Sequence, residues 1–137
     1  MFSVEVQNIA GAVTAVGSAG PFTVVIDRPE AVGGGGRGFN GGELLLIAVA
    51  GCISNDLFRE ADARGLSVHR VVVSASGDYA GDPSVSTGIE YNVAINGSSP
   101  DLELIELVRS VDQIAEIPNS LRGGTTVHLQ SASILYD

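Results

Sequence analysis

Short stretches of alternating apolar and polar residues indicate β-structure in the N-terminal third of the chain. Residues 2–7, 11–17 and 21–27 are rich in Val and Thr and are separated by Gly and Pro, which predicts three short strands. Antiparallel pairing is the natural arrangement for such strands. Residues 28–42 follow, and this stretch contains too much glycine for a helix or a strand and is long enough to indicate function or mobility.

The next stretch, residues 41–65, predicts the longest helix of the chain. Asn40 followed three residues later by Glu43 is a variant of the capping box, in which each side chain satisfies a backbone N–H group at the helix start. Gly65 is a typical C-terminal stop. The helix should therefore extend to Arg64, over about 22 residues and roughly 33 Å.

The remaining half of the chain predicts two long strands, a second helix and a last strand. Residues 66–80 and 85–95 should form a hairpin, because the Gly-Asp-Pro-Ser segment between them favours a turn. The last strand is predicted over residues 125–136. The predicted order of elements (strands, helix, strands, helix, strand) is typical of an α+β fold with helices on a largely antiparallel sheet. We expect one domain over residues 1–137.

The second helix has recognisable start and stop signals. Ser99 is the expected N-cap, Pro100 suits the first helical position, and Pro118 is expected to end the helix. Its apolar residues recur at helical spacing and comprise Leu104, Leu107, Val108, Val111, Ile114 and Ala115.

The segment from Leu44 to Ile53 of the first helix is apolar on every side. A sheet covers only one face of a helix, so another apolar face would remain exposed. The second helix can cover part of it, and a second subunit could cover the rest.

Composition excludes several classes of function. The 137 residues carry a net charge of −9, so nucleic acid and anionic membranes are unfavourable partners. All seven cations are arginine, and without lysine the chain has neither a P-loop nor Schiff-base chemistry. The single cysteine cannot form an intramolecular disulfide, no secretory signal is recognisable, and the uncharged apolar run is shorter than a membrane span. We therefore expect a cytoplasmic protein.

Cys52 has two interpretations. A lone cysteine in an apolar helix is usually a small buried residue. A reactive cysteine requires a cation nearby, because Cys52 lies about three turns from the helix start, beyond the reach of its dipole. Arg28 and Arg37 flank the glycine-rich segment and Arg122 lies in another glycine-bounded loop, so these three are the candidates.

Other residues of the long helix also have alternative roles. Glu43 precedes Cys52 by nine residues, which places the two on opposite sides of a regular helix and favours a capping role for Glu43. Asp56 and Arg59 share the face of the cysteine, as part of a site or as an ion pair.

Neither a cofactor site nor a metal site is predicted. Residues 33–38 match the pattern G-x-G-x-x-G, but a dinucleotide site needs these glycines between a strand and a helix of a βαβ unit. His69 and His128 have no second ligand at metal-like spacing.

Three segments in the same order resemble the OsmC/Ohr family, the osmotically inducible protein C and organic hydroperoxide resistance proteins. Residues 27–52, DRPEAVGGGGRGFNGGELLLIAVAGC, look like the glycine-rich loop and cysteine-bearing helix of the family. Asp56 and the helix end at Arg-Gly-Leu then precede a long strand pair, as in the family. Residues 117–129, IPNSLRGGTTVHL, look like its segment before the last strand.

The resemblance implies an intertwined homodimer with thiol peroxidase chemistry. Cys52 matches the peroxidatic cysteine, Arg28 is the preferred partner of its thiolate, and Glu43 is the candidate glutamate of the site. The second cysteine of the family is replaced by Ile117, and the glutamate of the hydroperoxide-resistance branch falls on Gly42. An external thiol would therefore have to reduce the oxidised Cys52.

Two functions follow from the resemblance. The first is a cytoplasmic, dimeric peroxidase that uses Cys52 alone to reduce organic hydroperoxides with an external thiol and without a cofactor. The second is a member of the fold that has lost catalysis and binds a small apolar ligand, or senses oxidant, at the dimer cleft. A dimer with a purely structural role is a third alternative.

Overall fold

The computed structural model describes residues 1–137 and divides them into two compact units, residues 1–45 and 46–137. Each unit is described separately below. The expectation of one domain over the whole chain stays a prediction.

The first unit contains a three-stranded antiparallel sheet. Its strands are β1 (Glu5–Asn8), β2 (Ala15–Ala19) and β3 (Phe22–Ile26), in the order β1-β2-β3. The three predicted strands exist, but they are shorter than the residue pattern indicated. Residues 9–12 form a turn closed by a hydrogen bond from Ala12 N to Ile9 O, which delays the start of β2.

Helix α1 (Gly41–Ala63) begins in the first unit and continues through the second. The capping box is present, because Asn40 N donates to Glu43 Oε2 and Glu43 N donates to Asn40 Oδ1, both across 2.9 Å. Gly65 has a left-handed φ of 66°, and Leu66 N donates to Ala61 O, which closes the C-terminal end. The predicted helix is therefore confirmed to within one residue at its C-terminal end.

The second unit contains a mixed sheet. Strands β4 (Val68–Ala80) and β5 (Val85–Gly97) form the predicted antiparallel hairpin, and β6 (Val127–Ile134) pairs with β5 in parallel. The predicted α+β fold with largely antiparallel strands is confirmed, because three of the four strand pairings are antiparallel. The strands form two three-stranded sheets, however, and the β5–β6 pairing is parallel. A parallel pairing requires a crossover connection, which the helices between β5 and β6 supply.

Helix α2 (Asp101–Ile114) and the short helix α3 (Glu116–Leu121) form this crossover. The prediction of Ser99 as N-cap is wrong, because Ser99 Oγ accepts a hydrogen bond from Ser67 N, at the start of the hairpin. The prediction that Pro118 ends the helix is also wrong. The extended backbone of Ala115 ends α2, and Pro118 lies within α3, close enough to its start that a missing N–H is tolerated.

The core of the second unit lies between the sheet and its helices. Alternate residues of β5 are buried, and so are the first four residues of the predicted apolar stripe of α2, whereas Ile114 of that stripe is 44% exposed. The core residues from these two elements are Ile89, Tyr91, Val93, Ile95, Leu104, Leu107, Val108 and Val111. The Arg64 guanidinium donates to Ser110 Oγ and links the end of α1 to α2.

Helix α1 has one buried and one exposed apolar face. Val49, Ile53 and Leu57 are buried, whereas Ile47 and Phe58 are 47% and 43% exposed. The exposed pair is eleven residues apart, about three turns of an ideal helix, and so lies on one face. This confirms the expectation that a single chain leaves part of the helix uncovered.

Helix α1 is also long and apolar enough to cross a membrane, by length and composition alone. The expectation that the apolar run is too short for a membrane span applies only to its strictly uncharged segment. A core helix of a soluble protein passes the same criterion, so this is weak support for a membrane span. The cytoplasmic location stays a prediction.

Candidate functional site

The glycine-rich loop of the first unit folds around the carboxylate of Asp27, which is 2% exposed. This carboxylate accepts hydrogen bonds from Gly35 N at 3.0 Å, Arg28 N at 2.7 Å and Arg37 N at 3.2 Å. The Thr14 hydroxyl donates a fourth across 2.8 Å. Both arginines that flank the loop are therefore held at their backbones by one buried side chain.

These hydrogen bonds favour the charged carboxylate. The bonds from Gly35, Thr14 and Arg28, in that order, lower the pKa of Asp27 from 3.8 to about 2. The pattern of residues did not single out Asp27, because an aspartate at the end of a strand looks like any turn residue.

The loop requires glycine for steric reasons. A Cβ at Gly34 would lie 1.9 Å from Arg28 O, and a Cβ at Gly35 would lie 2.9 Å from Asp27 Oδ2. The run of glycines thus allows a close approach of the backbone to Asp27 and Arg28. This explains the G-x-G-x-x-G match without a dinucleotide.

The side chains of Arg28 and Arg37 are exposed and form no ion pair. Their guanidinium groups are thus available to an anion, while their backbones are fixed by Asp27. Glu43 belongs to the same unit, and its carboxylate accepts from Asn40 N in the capping box.

Cys52 lies in the second unit, at the middle of α1, and is partly buried. Its Sγ donates to Asp56 Oδ2 across 3.7 Å and has no other hydrogen-bond partner. Asp56 is 6% exposed, and its other oxygen, Oδ1, lies 2.9 Å from an Arg59 nitrogen. Cys52, Asp56 and Arg59 are therefore linked through the Asp56 carboxylate and form one polar group, Cys52–Asp56–Arg59.

Arg122, the third candidate partner of Cys52, is engaged elsewhere in the second unit. Its guanidinium binds the Asp112 carboxylate at 2.7 Å and also donates to Asn119 Oδ1 and Val127 O. The Tyr91 hydroxyl donates to the same Asp112 oxygen at 2.5 Å.

Tyr91 and Asp112 belong to this partly buried network, which was not predicted from the sequence. Burial, reinforced by the hydrogen bond to Asp112, raises the pKa of Tyr91 well above its usual value. We interpret the network as a support for the packing of α2 and β6.

The two histidines lie outside these groups. His69 contacts the hydroxyls of Ser67 and Ser98, and His128 is exposed on β6. Neither histidine contacts a residue of the Cys52 group.

The first unit also has an apolar cavity of about 340 Å³. Its lining includes Val6, Phe22, Val24, Ile26 and Leu44. The cavity therefore suits an apolar group and offers few polar partners.

Comparison with known proteins identifies the family. The model of the OsmC-like protein family matches residues 33–130, a range that includes Cys52 and all of the second unit except its last seven residues. No curated protein matches the sequence significantly.

Solved structures share the fold at low sequence identity. An OsmC-like protein from Mycoplasma pneumoniae is 15% identical, with a TM-score of 0.83 and coverage of 98% of both chains. An organic hydroperoxide resistance protein OsmC from Legionella pneumophila is 18% identical, with a TM-score of 0.71 and coverage of 97% of this chain and 96% of that one.

A third structure, a putative organic hydroperoxide resistance protein from Vibrio cholerae, has captopril bound in one of its active sites. It is 19% identical, with a TM-score of 0.69, and the alignment covers 97% of this chain and 90% of that one. The match of the family model over most of the chain, together with this shared fold, shows that the protein belongs to the OsmC-like family.

Proposed function

We propose that the protein is a thiol-dependent peroxidase that reduces organic hydroperoxides at Cys52. The observation that carries this proposal is the partly buried Cys52 thiol, hydrogen-bonded to a buried carboxylate. Membership of the OsmC-like family supports it, and two structural neighbours are described as organic hydroperoxide resistance proteins.

The reaction begins with attack of the Cys52 sulfur on the outer oxygen of the hydroperoxide. The sulfur–oxygen bond forms, the O–O bond breaks, the sulfur becomes a sulfenic acid and the peroxide becomes an alcohol. Because the chain has one cysteine, an external thiol must condense with the sulfenic acid, releasing water and forming a mixed disulfide. A second external thiol then releases Cys52 in its reduced form.

Arg28 is the proposed partner of the developing negative charge. Its exposed guanidinium has no ion pair and Asp27 holds its backbone N–H, which supports the proposal that this cation is available to an anion. Glu43 is proposed as the glutamate of the site, in addition to its role in the capping box.

The protein is further proposed to act as a homodimer. The exposed apolar face of α1, with Ile47 and Phe58, supports this proposal, because a second copy would remove that face from water. A cytoplasmic location, with an external thiol as reductant, completes the proposal.

The apolar cavity of the first unit supports a second candidate function. A member of the fold without catalysis would bind an apolar small molecule there, and Cys52 would then be only a packing residue. Binding of a fluorescent fatty acid, measured by fluorescence titration, tests this function. It should be equal in the unaltered chain and in Cys52→Ser.

The first experiment is a titration with cumene hydroperoxide and with hydrogen peroxide, followed by trapping of sulfenic acid with dimedone and mass spectrometry. Stoichiometric trapping at Cys52, faster with the organic peroxide and absent in Cys52→Ser, supports the peroxidase. A Cys52 that remains unmodified by either peroxide contradicts it.

A further inference from the structure

The carboxylate of Asp56 is the only group of the chain that accepts a hydrogen bond from the Cys52 thiol. One helical turn separates the two residues, so the regular geometry of α1 holds them on the same face. The distance of 3.7 Å between Sγ and Oδ2 is suitable for a hydrogen bond with sulfur as donor. The thiol proton therefore already points at an acceptor.

Arg59 orients this acceptor. Its guanidinium lies 2.9 Å from Asp56 Oδ1, and this leaves Oδ2 directed at the sulfur. Because Asp56 is 6% exposed, its carboxylate is largely shielded from water, which would otherwise exchange protons with it freely. Arg59 itself cannot deliver a proton, since a guanidinium stays protonated in proteins.

We propose that Asp56 takes the Cys52 thiol proton and returns it to the alcohol that leaves the peroxide, a role that rests on the proposed peroxidase function. The proton passes from Sγ to Oδ2 as the sulfur attacks the outer peroxide oxygen. The S–O bond forms and the O–O bond breaks. The inner oxygen, leaving as an alkoxide, takes the proton from Oδ2, and the products are a sulfenic acid and an alcohol.

This role makes a specific prediction about leaving groups. An alkoxide is a strong base, so its departure benefits from a proton donor. The carboxylate that leaves a peroxycarboxylic acid is a weak base and departs without one. Loss of the relay should therefore slow the reaction with an alkyl hydroperoxide much more than the reaction with a peracid.

The experiment compares the unaltered chain with Asp56→Asn, which keeps the size of the side chain but cannot carry the proton. The rate of sulfenic acid formation is measured in a single turnover with tert-butyl hydroperoxide and with peracetic acid. We expect the first rate to fall about 100-fold, as for loss of a general acid–base group, and the second by less than about tenfold. Asp62→Asn, an exposed residue of the same helix, makes the same charge change and should alter neither rate.

Equal losses with both oxidants in Asp56→Asn overturn the relay but leave the peroxidase proposal in place. An unaltered chain that reacts with neither oxidant overturns the peroxidase proposal and the relay with it. If Asp56→Asn fails to fold, the relay is tested by measuring the rates of the unaltered chain with both oxidants in heavy water and in ordinary water. The relay predicts a larger solvent isotope effect on the rate with tert-butyl hydroperoxide than on the rate with peracetic acid, because only the alkoxide needs the returned proton. Equal isotope effects on the two oxidants contradict it.

Discussion

The Thr14 hydroxyl donates to Asp27 Oδ2 across 2.8 Å, and the backbone N–H groups of three loop residues complete the coordination of this carboxylate. One ionised side chain thus holds the glycine-rich loop. The conformation of the loop should therefore depend on the charge of Asp27.

Acidification should release this loop. The pKa of Asp27 is 3.8 in an unfolded chain and about 2 in the folded protein, so its contribution to stability is present above pH 3.8. As the pH falls through 2 the folded carboxylate becomes protonated and this contribution is lost. The amide signals of Gly35 and Arg37 in NMR spectra should shift over this range. In the Asp27→Asn variant these amide signals should not shift over the same pH range. If they still shifted, Asp27 would not be the group that holds the loop.

Crowding at Gly35 should destabilise the first unit. A Cβ at this position would lie 2.9 Å from Asp27 Oδ2, so Gly35→Ala must displace the loop or the carboxylate. We expect a loss of about 1–3 kcal/mol in the free energy of unfolding, measured with urea. Gly41→Ala is the matched control, because its Cβ would meet nothing within 4 Å and the residue lies in α1. Equal stability of the two variants would show that the loop is not closely packed around Asp27.

Substitution of the two loop arginines should separate their roles. If Arg28 stabilises the negative charge at Cys52, Arg28→Gln should lower the rate of sulfenic acid formation by about 100-fold. We expect a smaller effect for Arg37→Gln. Arg109→Gln removes an exposed arginine of α2 without an ion pair and should leave the rate unchanged. A larger loss in Arg37→Gln than in Arg28→Gln would reverse the assignment.

Tyr91 should contribute to stability through its hydrogen bond to Asp112. Tyr91→Phe removes the 2.5 Å contact, and we expect a loss of about 1–2 kcal/mol in the free energy of unfolding at neutral pH. The exposed Tyr136→Phe is the control. Because burial raises the pKa of Tyr91, its contribution is present below pH 10 and is lost as the pH rises above that value. The free energy of unfolding of Tyr91→Phe should therefore fall less at alkaline pH than that of the unaltered chain. An equal fall in the two proteins would contradict this role of Tyr91.

Elements that depend on interactions between residues close in the chain could be predicted from the order of amino acids alone. The capping pair Asn40 and Glu43 and the stop at Gly65 predicted α1 because cap, helix and stop are contiguous in the chain. The Gly-Asp-Pro-Ser turn predicted the hairpin for the same reason. The order of its motifs indicated the family, and regular helical spacing placed Asp56 beside Cys52.

Contacts between residues distant in the chain could not be predicted in this way, because they depend on how the whole chain folds. Asp27 collects donors from positions 14, 35 and 37, and no local pattern specifies which buried carboxylate a loop will surround. Arg122 was a candidate partner of Cys52 until the fold brought Asp112 to it across 2.7 Å. The parallel pairing of β6 likewise depends on the crossover through α2 and α3, a long-range choice made by burial of the apolar face of α2.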